Sequence, residues 1–585
     1  MRGIRSGCAA WGRSMAELPP SYPFERSRYL GSVSRVSPLG VRVNFPFATE
    51  VTPSQYAGHR VARGQVGEFV VIESYGCAIL GRITEIQLPD RDRLSVEPER
   101  NEGDEIPNPI GMIKLLGSVD LNSNRSSRGI GEVPRVGDYV YLAHPDFVRH
   151  AIVSTNGSKG GLIELGHLSG APETRVSLPP SSIFGRHCAV LGTTGGGKSW
   201  STARLVEQVA ERGGKIVLLD PTGEYHTLRG PVRHVHLGGT RDGVADKRHF
   251  VSFPYFHLTE MDLFAFLQPS PGVQVPKLRD AIQSLKLIQL DPTLVDADTT
   301  VLIKAGKAKK PINHAIVVND EALHAPSAFF EFKDLVEQVL EECVYPTDPN
   351  GQKHHWGARH PNSYDSCITL CMRITTFQKS QPMAPIFAPP EYMTDLTKVI
   401  GEFVADPDLR VLRVSMRYLA FEQHTRELVV NAIGRYLLGR ARQGDFQKTP
   451  LVVAIDEAHQ FLNKSIGDDN NKVLLDAFGL IAKEGRKYGL TCLLATQRPR
   501  DIPEDVLSQI GMFVVHRLIN ERDQLVVINA SGVLDLSTAA FLPNLRDGEA
   551  LIVGADSIMP MPIILNAPVH KPRLEENVEA TWMTT

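Results

Sequence analysis

Hydrophobic and polar positions alternate in short, β-branched runs from residue 28 to about 175. Examples are Gly31-Ser-Val-Ser-Arg-Val-Ser37, Gly40-Val-Arg-Val-Asn-Phe45, Gly67-Glu-Phe-Val-Val-Ile-Glu73 and Ala78-Ile-Leu-Gly-Arg-Ile-Thr-Glu-Ile86. A period of two, broken often by glycine, predicts short strands closing a small barrel or sandwich. The polar stretch Asp90 to Pro107 reads as an exposed loop, and strand patterning returns over Ile110 to Leu121 and Val136 to Leu142.

After Pro179-Pro-Ser-Ser182 the period changes. His187 to Leu191 is a short apolar strand, Lys198 to Glu211 a helix, and Lys215 to Leu219 a second buried strand, the order of a parallel sheet with covering helices. Residues 255 to about 440 are predominantly helical in pattern, with runs at Lys277 to Gln289, Ala328 to Glu342 and Arg426 to Leu438. Strand patterns resume at Leu451 to Ile455, Leu490 to Ala495, Met512 to Val515 and Glu549 to Val553. The expected organisation is an extension (1–27), a barrel (28–179), an α/β domain (180–566) with a helical insertion (about 255–440), and a tail (567–585).

Composition narrows this little. The 585 residues allow several domains, and 42% hydrophobic with 22% charged residues can bury large cores. A net charge of -3 excludes a uniformly basic surface but not a basic channel. Seven cysteines include Cys367 and Cys371 but no Cys-x-x-Cys pair, so a structural role is expected rather than a metal set. No apolar run approaches the roughly 18 residues of a membrane span, and the first 15 residues lack the apolar core of a secretion signal. No membrane association and a cytoplasmic location are expected. Met15 is a second possible start. The basic segment Lys304 to Lys310 reads first as a solvated loop.

The chemistry is concentrated in two motifs. Gly192, Thr193, Thr194, Gly195, Gly196, Gly197, Lys198 and Ser199 form a complete phosphate loop between a strand and a helix. Its backbone N–H groups can curl around phosphate oxygens, Lys198 can reach the β and γ phosphates, and Ser199 can ligate Mg2+. The second motif, Leu451-Val-Val-Ala-Ile-Asp456-Glu457-Ala-His459, delivers two acids to the carboxyl edge of a strand. Asp456 is placed to hold Mg2+ through water, and Glu457 to take the proton of an attacking water. Together they predict hydrolysis of a nucleoside triphosphate. Asp220 and Glu224, in Asp220-Pro-Thr-Gly-Glu-Tyr225, follow the second strand and should approach the nucleotide edge.

The stretch Lys483-Glu-Gly-Arg-Lys-Tyr-Gly-Leu-Thr-Cys-Leu-Leu-Ala-Thr-Gln-Arg-Pro499 adds two candidates. Gln497 should emerge beside Asp456 and sense the terminal phosphate through its amide. Arg486 lies before the strand, after a helix expected over Val473 to Lys483, where it could act on a neighbouring subunit's nucleotide. A surface ion pair is the plainer alternative for Arg486, and Arg498 stays unassigned.

The ordered set resembles the HerA family of hexameric DNA translocases, within the larger group that includes the FtsK motors. The resemblance spans residues 28 to 566. It rests on the barrel, Gly185-Arg186-His187 leading into Gly192 to Ser199, Asp220 to Tyr225, Asp456-Glu457-Ala-His459, Lys483-Glu-Gly-Arg486-Lys and Ala495-Thr-Gln497-Arg-Pro499. It implies an α/β P-loop, RecA-like ATPase domain with a helical insertion, preceded by a small N-terminal β-barrel of the HAS type. It further implies ATP and Mg2+ as ligands, catalytic roles for Glu457, Arg486 and Gln497, a homohexamer, and double-stranded DNA in its centre. Family partners are NurA-like nucleases and, in phage defence, antiviral effector enzymes. Gly196 replaces the family's common serine, a change the backbone cradle tolerates. Two other classes remain open: an ATP-regulated assembly scaffold without DNA movement, and a secretion or conjugation ATPase.

Overall fold

The computed structural model describes residues 22–38, 40–46, 54–56, 59–61, 64–88, 108–153, 162–169, 171–239, 249–296, 298–325, 328–348, 353–462, 464–554 and 559–573. The whole of the expected loop Asp90 to Pro107, the residues before Tyr22 and the tail after Arg573 lie outside them. The chain divides into two compact units, 1–183 with 511–566, and 184–510 with 567–585.

In the first unit, the strands Gly40–Asn44, Tyr29–Ser37, Tyr139–Leu142, Phe69–Ser74, Cys77–Gln87 and Ile110–Asp120 pair in that order and close when the last meets the first, giving a six-stranded barrel. Every pairing is antiparallel. The period-two runs explain the closure: Val41, Val43, Val70, Ile72, Ile79, Ile83 and Ile113 all turn inward to one buried core with Phe45. Gly111 is required there, because a Cβ would come within 2.0 Å of the Phe45 ring.

The same unit holds an antiparallel sheet ordered Ala171–Leu178, Ile163–Leu168, Met561–Leu565, Glu549–Gly554, Ile510–Val515. Residues 511–566, expected within the α/β domain, therefore cluster with the barrel. Of their strands, Met561–Leu565 pairs directly with Ile163–Leu168, and Lys114 on a barrel strand pairs with Asp535 at 2.5 Å.

The second unit is built on a parallel sheet ordered His187–Leu191, Leu490–Thr496, Leu451–Ile455, Lys215–Asp220, Val411–Ser415, Val232–Leu237, Phe250–Ser252, Thr394–Asp395. The first four strands are buried along their whole length, as continuous apolar runs covered on both faces must be.

Helices Glu260–Leu267, Gln274–Leu290, Lys309–Val318, Leu335–Glu341, Pro361–Lys379 and Leu396–Ala405 occupy the expected insertion. That insertion is not helical to residue 440: Val411–Ser415 returns to the middle of the sheet before the helix Thr425–Arg442. Its Arg413, like the arginine and histidines of Val232–Leu237, interrupts the apolar run that would have announced a core strand. The helix expected over Val473 to Lys483 spans Ala477–Glu484, with Val473–Leu474 paired to Ser465–Ile466 instead. Cys367 and Cys371 are buried, and among the described residues no cluster could hold a metal through His, Cys, Asp or Glu. No helix there is long and apolar enough to cross a membrane.

Candidate nucleotide site

Strand His187–Leu191 delivers the loop Gly192 to Ser199, and the helix Lys198–Glu211 opens from it. Gly195 (φ +77°) and Gly197 (φ +102°) take left-handed conformations that turn the loop back on itself, held by Gly196 N–H donating to the Thr193 carbonyl at 3.1 Å. A Cβ on Gly195 would meet nothing within 4 Å, so that side of the loop is open. Lys198 is 5% exposed, and its Nζ donates to Asp456 Oδ1 at 2.6 Å and Glu457 Oε1 at 2.8 Å. Burial by itself depresses the Lys198 pKa; the two carboxylates outweigh it and hold the ammonium above its usual range.

The two acids leave Leu451–Ile455 at its carboxyl end. Glu457 sits at φ +49°, a left-handed backbone rare for a residue with a side chain. Local strain of this kind is often stored at functional sites. Gln497, just past Leu490–Thr496, bridges the site: its Nε2 donates to Glu457 Oε1 at 2.5 Å, and its Oε1 accepts from Thr194 Oγ1 at 2.7 Å. Glu457 Oε2 is buried and accepts no hydrogen bond among the described residues. His459 Nδ1 lies 3.3 Å from it, and burial lowers the pKa of that imidazole. A buried carboxylate oxygen with spare acceptor capacity is what a water or cation ligand would use.

Glu224 and Asp220 differ sharply. Burial raises the Glu224 pKa, opposed by a hydrogen bond with the Ser199 side chain and reinforced by the charge of Asp456, so Glu224 stands at the Ser199 side of the cradle. Asp220 is fully buried, its oxygens taken up by its own turn and by Arg413 of the neighbouring strand. It accepts from Gly223 N at 2.8 Å and Tyr225 N at 3.2 Å, and from Arg413 Nε at 2.7 Å. Arg413 also donates to the Gly223 carbonyl at 3.0 Å. Asp220 is therefore brought beneath the site rather than into it, where it shapes the turn that carries Glu224 and Tyr225. Tyr225 Oη donates to Asp456 Oδ2 at 3.2 Å. The sequence pattern does not mark Arg413, and the aromatic that ends the Asp220-to-Tyr225 turn is its one signal for Tyr225.

These side chains can grip a phosphate chain, neutralise it with a buried lysine, and present a carboxylate to water. Two family models match the chain: "Helicase HerA, central domain" over residues 163–354 and "Helicase HerA-like C-terminal" over residues 440–570. The chain belongs to the HerA helicase family. It is 25% identical over 532 residues to the DNA double-strand break repair helicase HerA of Pyrococcus furiosus, covering 86% of this chain and 88% of that one. The protein of that name from Sulfolobus acidocaldarius is 24% identical over 535 residues, covering 88% and 92%. Among solved structures, the conjugative coupling protein TrwB aligns with a TM-score of 0.42 and 14% identity over 72% of this chain and 92% of its own. VirB4 of Thermoanaerobacter pseudethanolicus aligns at 0.40 and 16% over 70% and 97%. Family membership makes the chain an ATP-hydrolysing DNA helicase or translocase of the HerA type.

Arg486 does not join the HerA-type cradle within its own chain. It is exposed in the turn Gly485–Tyr488, ahead of the seven-residue strand whose far end leads to Gln497. Seven strand residues span about 23 Å. Arg186, before the phosphate-loop strand, is likewise exposed at that opposite edge. Arg498 is exposed and 3.8 Å from Asp501. In the basic segment, Lys304 pairs with the buried Glu342 at 2.6 Å and Lys307 with Asp296 at 3.1 Å, so part of its charge is neutralised internally.

Proposed function

We propose that this protein is an ATP-driven motor on double-stranded DNA, working as a cytoplasmic homohexamer that serves a NurA-like nuclease in DNA repair or an antiviral effector enzyme in phage defence. The observation that carries the reading is the bridge Thr194–Gln497–Glu457. It joins the phosphate loop to the carboxylate that would activate water, so one amide contacts both the loop that would cradle a terminal phosphate and the base that would deprotonate the attacking water.

Lys198, held between Asp456 and Glu457, exchanges part of its pairing for phosphate oxygens when ATP enters. That exchange frees Glu457 to accept the proton of a water aligned by Gln497. Ser199 and Asp456, with Glu224 beside them, would hold Mg2+, which supplies charge neutralisation on the phosphates. Tyr225 keeps Asp456 oriented. Arg486 acts on the neighbouring subunit's phosphate, a role supported by its exposure about a strand's length from its own site. The names of the archaeal HerA relatives support DNA as the track.

The test is the ATPase rate of the purified protein with and without linear duplex DNA, over a range of salt. Stimulation that fades as salt rises is expected of a phosphate-tracking motor. A rate indifferent to DNA would favour an ATP-regulated scaffold.

A further inference from the structure

The chain returns to the nucleotide-binding unit at residues 567–573, and this strap is fastened to the helix that opens from the phosphate loop. Its anchor is Glu207, a carboxylate only 8% exposed. Glu207 Oε2 accepts from Val569 N at 2.9 Å, and Oε1 accepts from His570 N at 2.8 Å with His570 Nδ1 3.0 Å away. A buried acid spent on two backbone N–H groups fixes the path of a segment that forms no helix or strand. From that anchor Lys571 lies over the indole of Trp200, 5.1 Å from the ring centroid, and Arg573 N donates to the Glu224 carbonyl at 3.0 Å.

Trp200 directly follows Ser199 in the first turn of the helix, yet it is 42% exposed. None of the contacts that grip the phosphates or activate water uses it. The bridge through Gln497 marks the terminal-phosphate end of the cradle, and Ser199 with Glu224 marks the metal side. Two residues of chain, at most about 7 Å, separate Lys571 on Trp200 from Arg573 on the Glu224 backbone. The strap and the indole thus border the cradle where no residue so far assigned accounts for the rest of the nucleotide.

We infer that Trp200 and the strap 568–573 form the nucleoside end of the ATP site, with the indole as the stacking surface for the base and Glu207 as the residue that positions the strap beside it. The proposal rests on the nucleotide reading above and adds which residues hold the base. An indole suits that task, since every base has a π-face, and Lys571 places a cation where the ribose and α-phosphate leave the cradle.

The experiment compares binding of ADP and of inorganic tripolyphosphate, both with Mg2+, by calorimetry on the full-length protein. Tripolyphosphate engages the loop but has no base. Trp200→Ala is expected to weaken ADP roughly tenfold or more, the size of one base–aromatic stack, and to leave tripolyphosphate within about twofold. Trp200→Phe should restore most of the loss. Glu207→Ala, which releases the strap, should show the same selective loss. Equal weakening of both ligands, or no weakening of ADP in Trp200→Ala, overturns the proposal. Wild-type protein that binds neither ligand would instead overturn the nucleotide reading beneath it.

Discussion

Removing the Arg413 guanidinium should damage the protein far from any phosphate. Arg413 and Asp220 are 1% and 0% exposed and meet at 2.7 Å, so the substitution Arg413→Met strands a carboxylate in the sheet. Breaking a buried pair by deleting one partner costs about 3–5 kcal/mol. Asp220 keeps its hydrogen bonds from Gly223 N and Tyr225 N, which places the expected loss near the lower end, about 3 kcal/mol. At about 2 °C per kcal/mol for a large domain, the unfolding midpoint should fall by roughly 6 °C. Differential scanning calorimetry of Arg413→Met, Asp220→Asn and the double variant provides the assay. The double variant carries no unpaired buried charge and should lose at least about 2 kcal/mol less than the sum of the single losses. The same cycle in KM for ATP should show Arg413→Met raising it, because the turn carrying Glu224 and Tyr225 loses the donor on the Gly223 carbonyl. A midpoint shift under about 2 °C with additive single effects would refute the reasoning, since the pair would then carry no coupling.

Gln497→Ala removes both arms of the bridge and should lower kcat by on the order of a hundredfold, as loss of one transition-state donor does, while the Kd for ATP changes little; a purely KM effect would argue against alignment of water. Wild-type subunits mixed with increasing shares of Arg486→Ala subunits should lose activity more steeply than the mutant fraction rises, whereas a proportional fall would place Arg486 outside its neighbour's chemistry. Burial, with the nearby charge of Arg486 adding to it, lowers the His187 pKa from 6.5 to about 4. The depressed value means the stability is complete above about pH 6.5 and is lost as pH falls toward 4, by roughly 3 kcal/mol over that window. Denaturant titrations at stepped pH should show the loss, and His187→Asn should flatten it.

What could be read from the chain follows from where charge sits. The phosphate-loop strand and its helix have the same limits in sequence pattern and in structure, His187–Leu191 and Lys198–Glu211, because uninterrupted apolar runs and glycine punctuation leave no competing period. The acids Asp456 and Glu457 and the amide Gln497 lie at one edge because parallel strands present their carboxyl ends together. Val411–Ser415 hid because its central arginine reads as a surface residue until Asp220, nearly two hundred positions earlier, is known to face it. The grouping of residues 511–566 with the barrel was hidden for a related reason: an apolar strand carries no mark of which sheet edge will recruit it.

The most direct test of ATP-driven movement is displacement of a triplex-forming strand from linear duplex DNA by the assembled protein. Wild type with ATP and Mg2+ should displace the strand, and Glu457→Gln, still binding ATP, should not. Displacement by Glu457→Gln at the wild-type rate, or robust DNA-stimulated hydrolysis by wild type without displacement, would contradict the account.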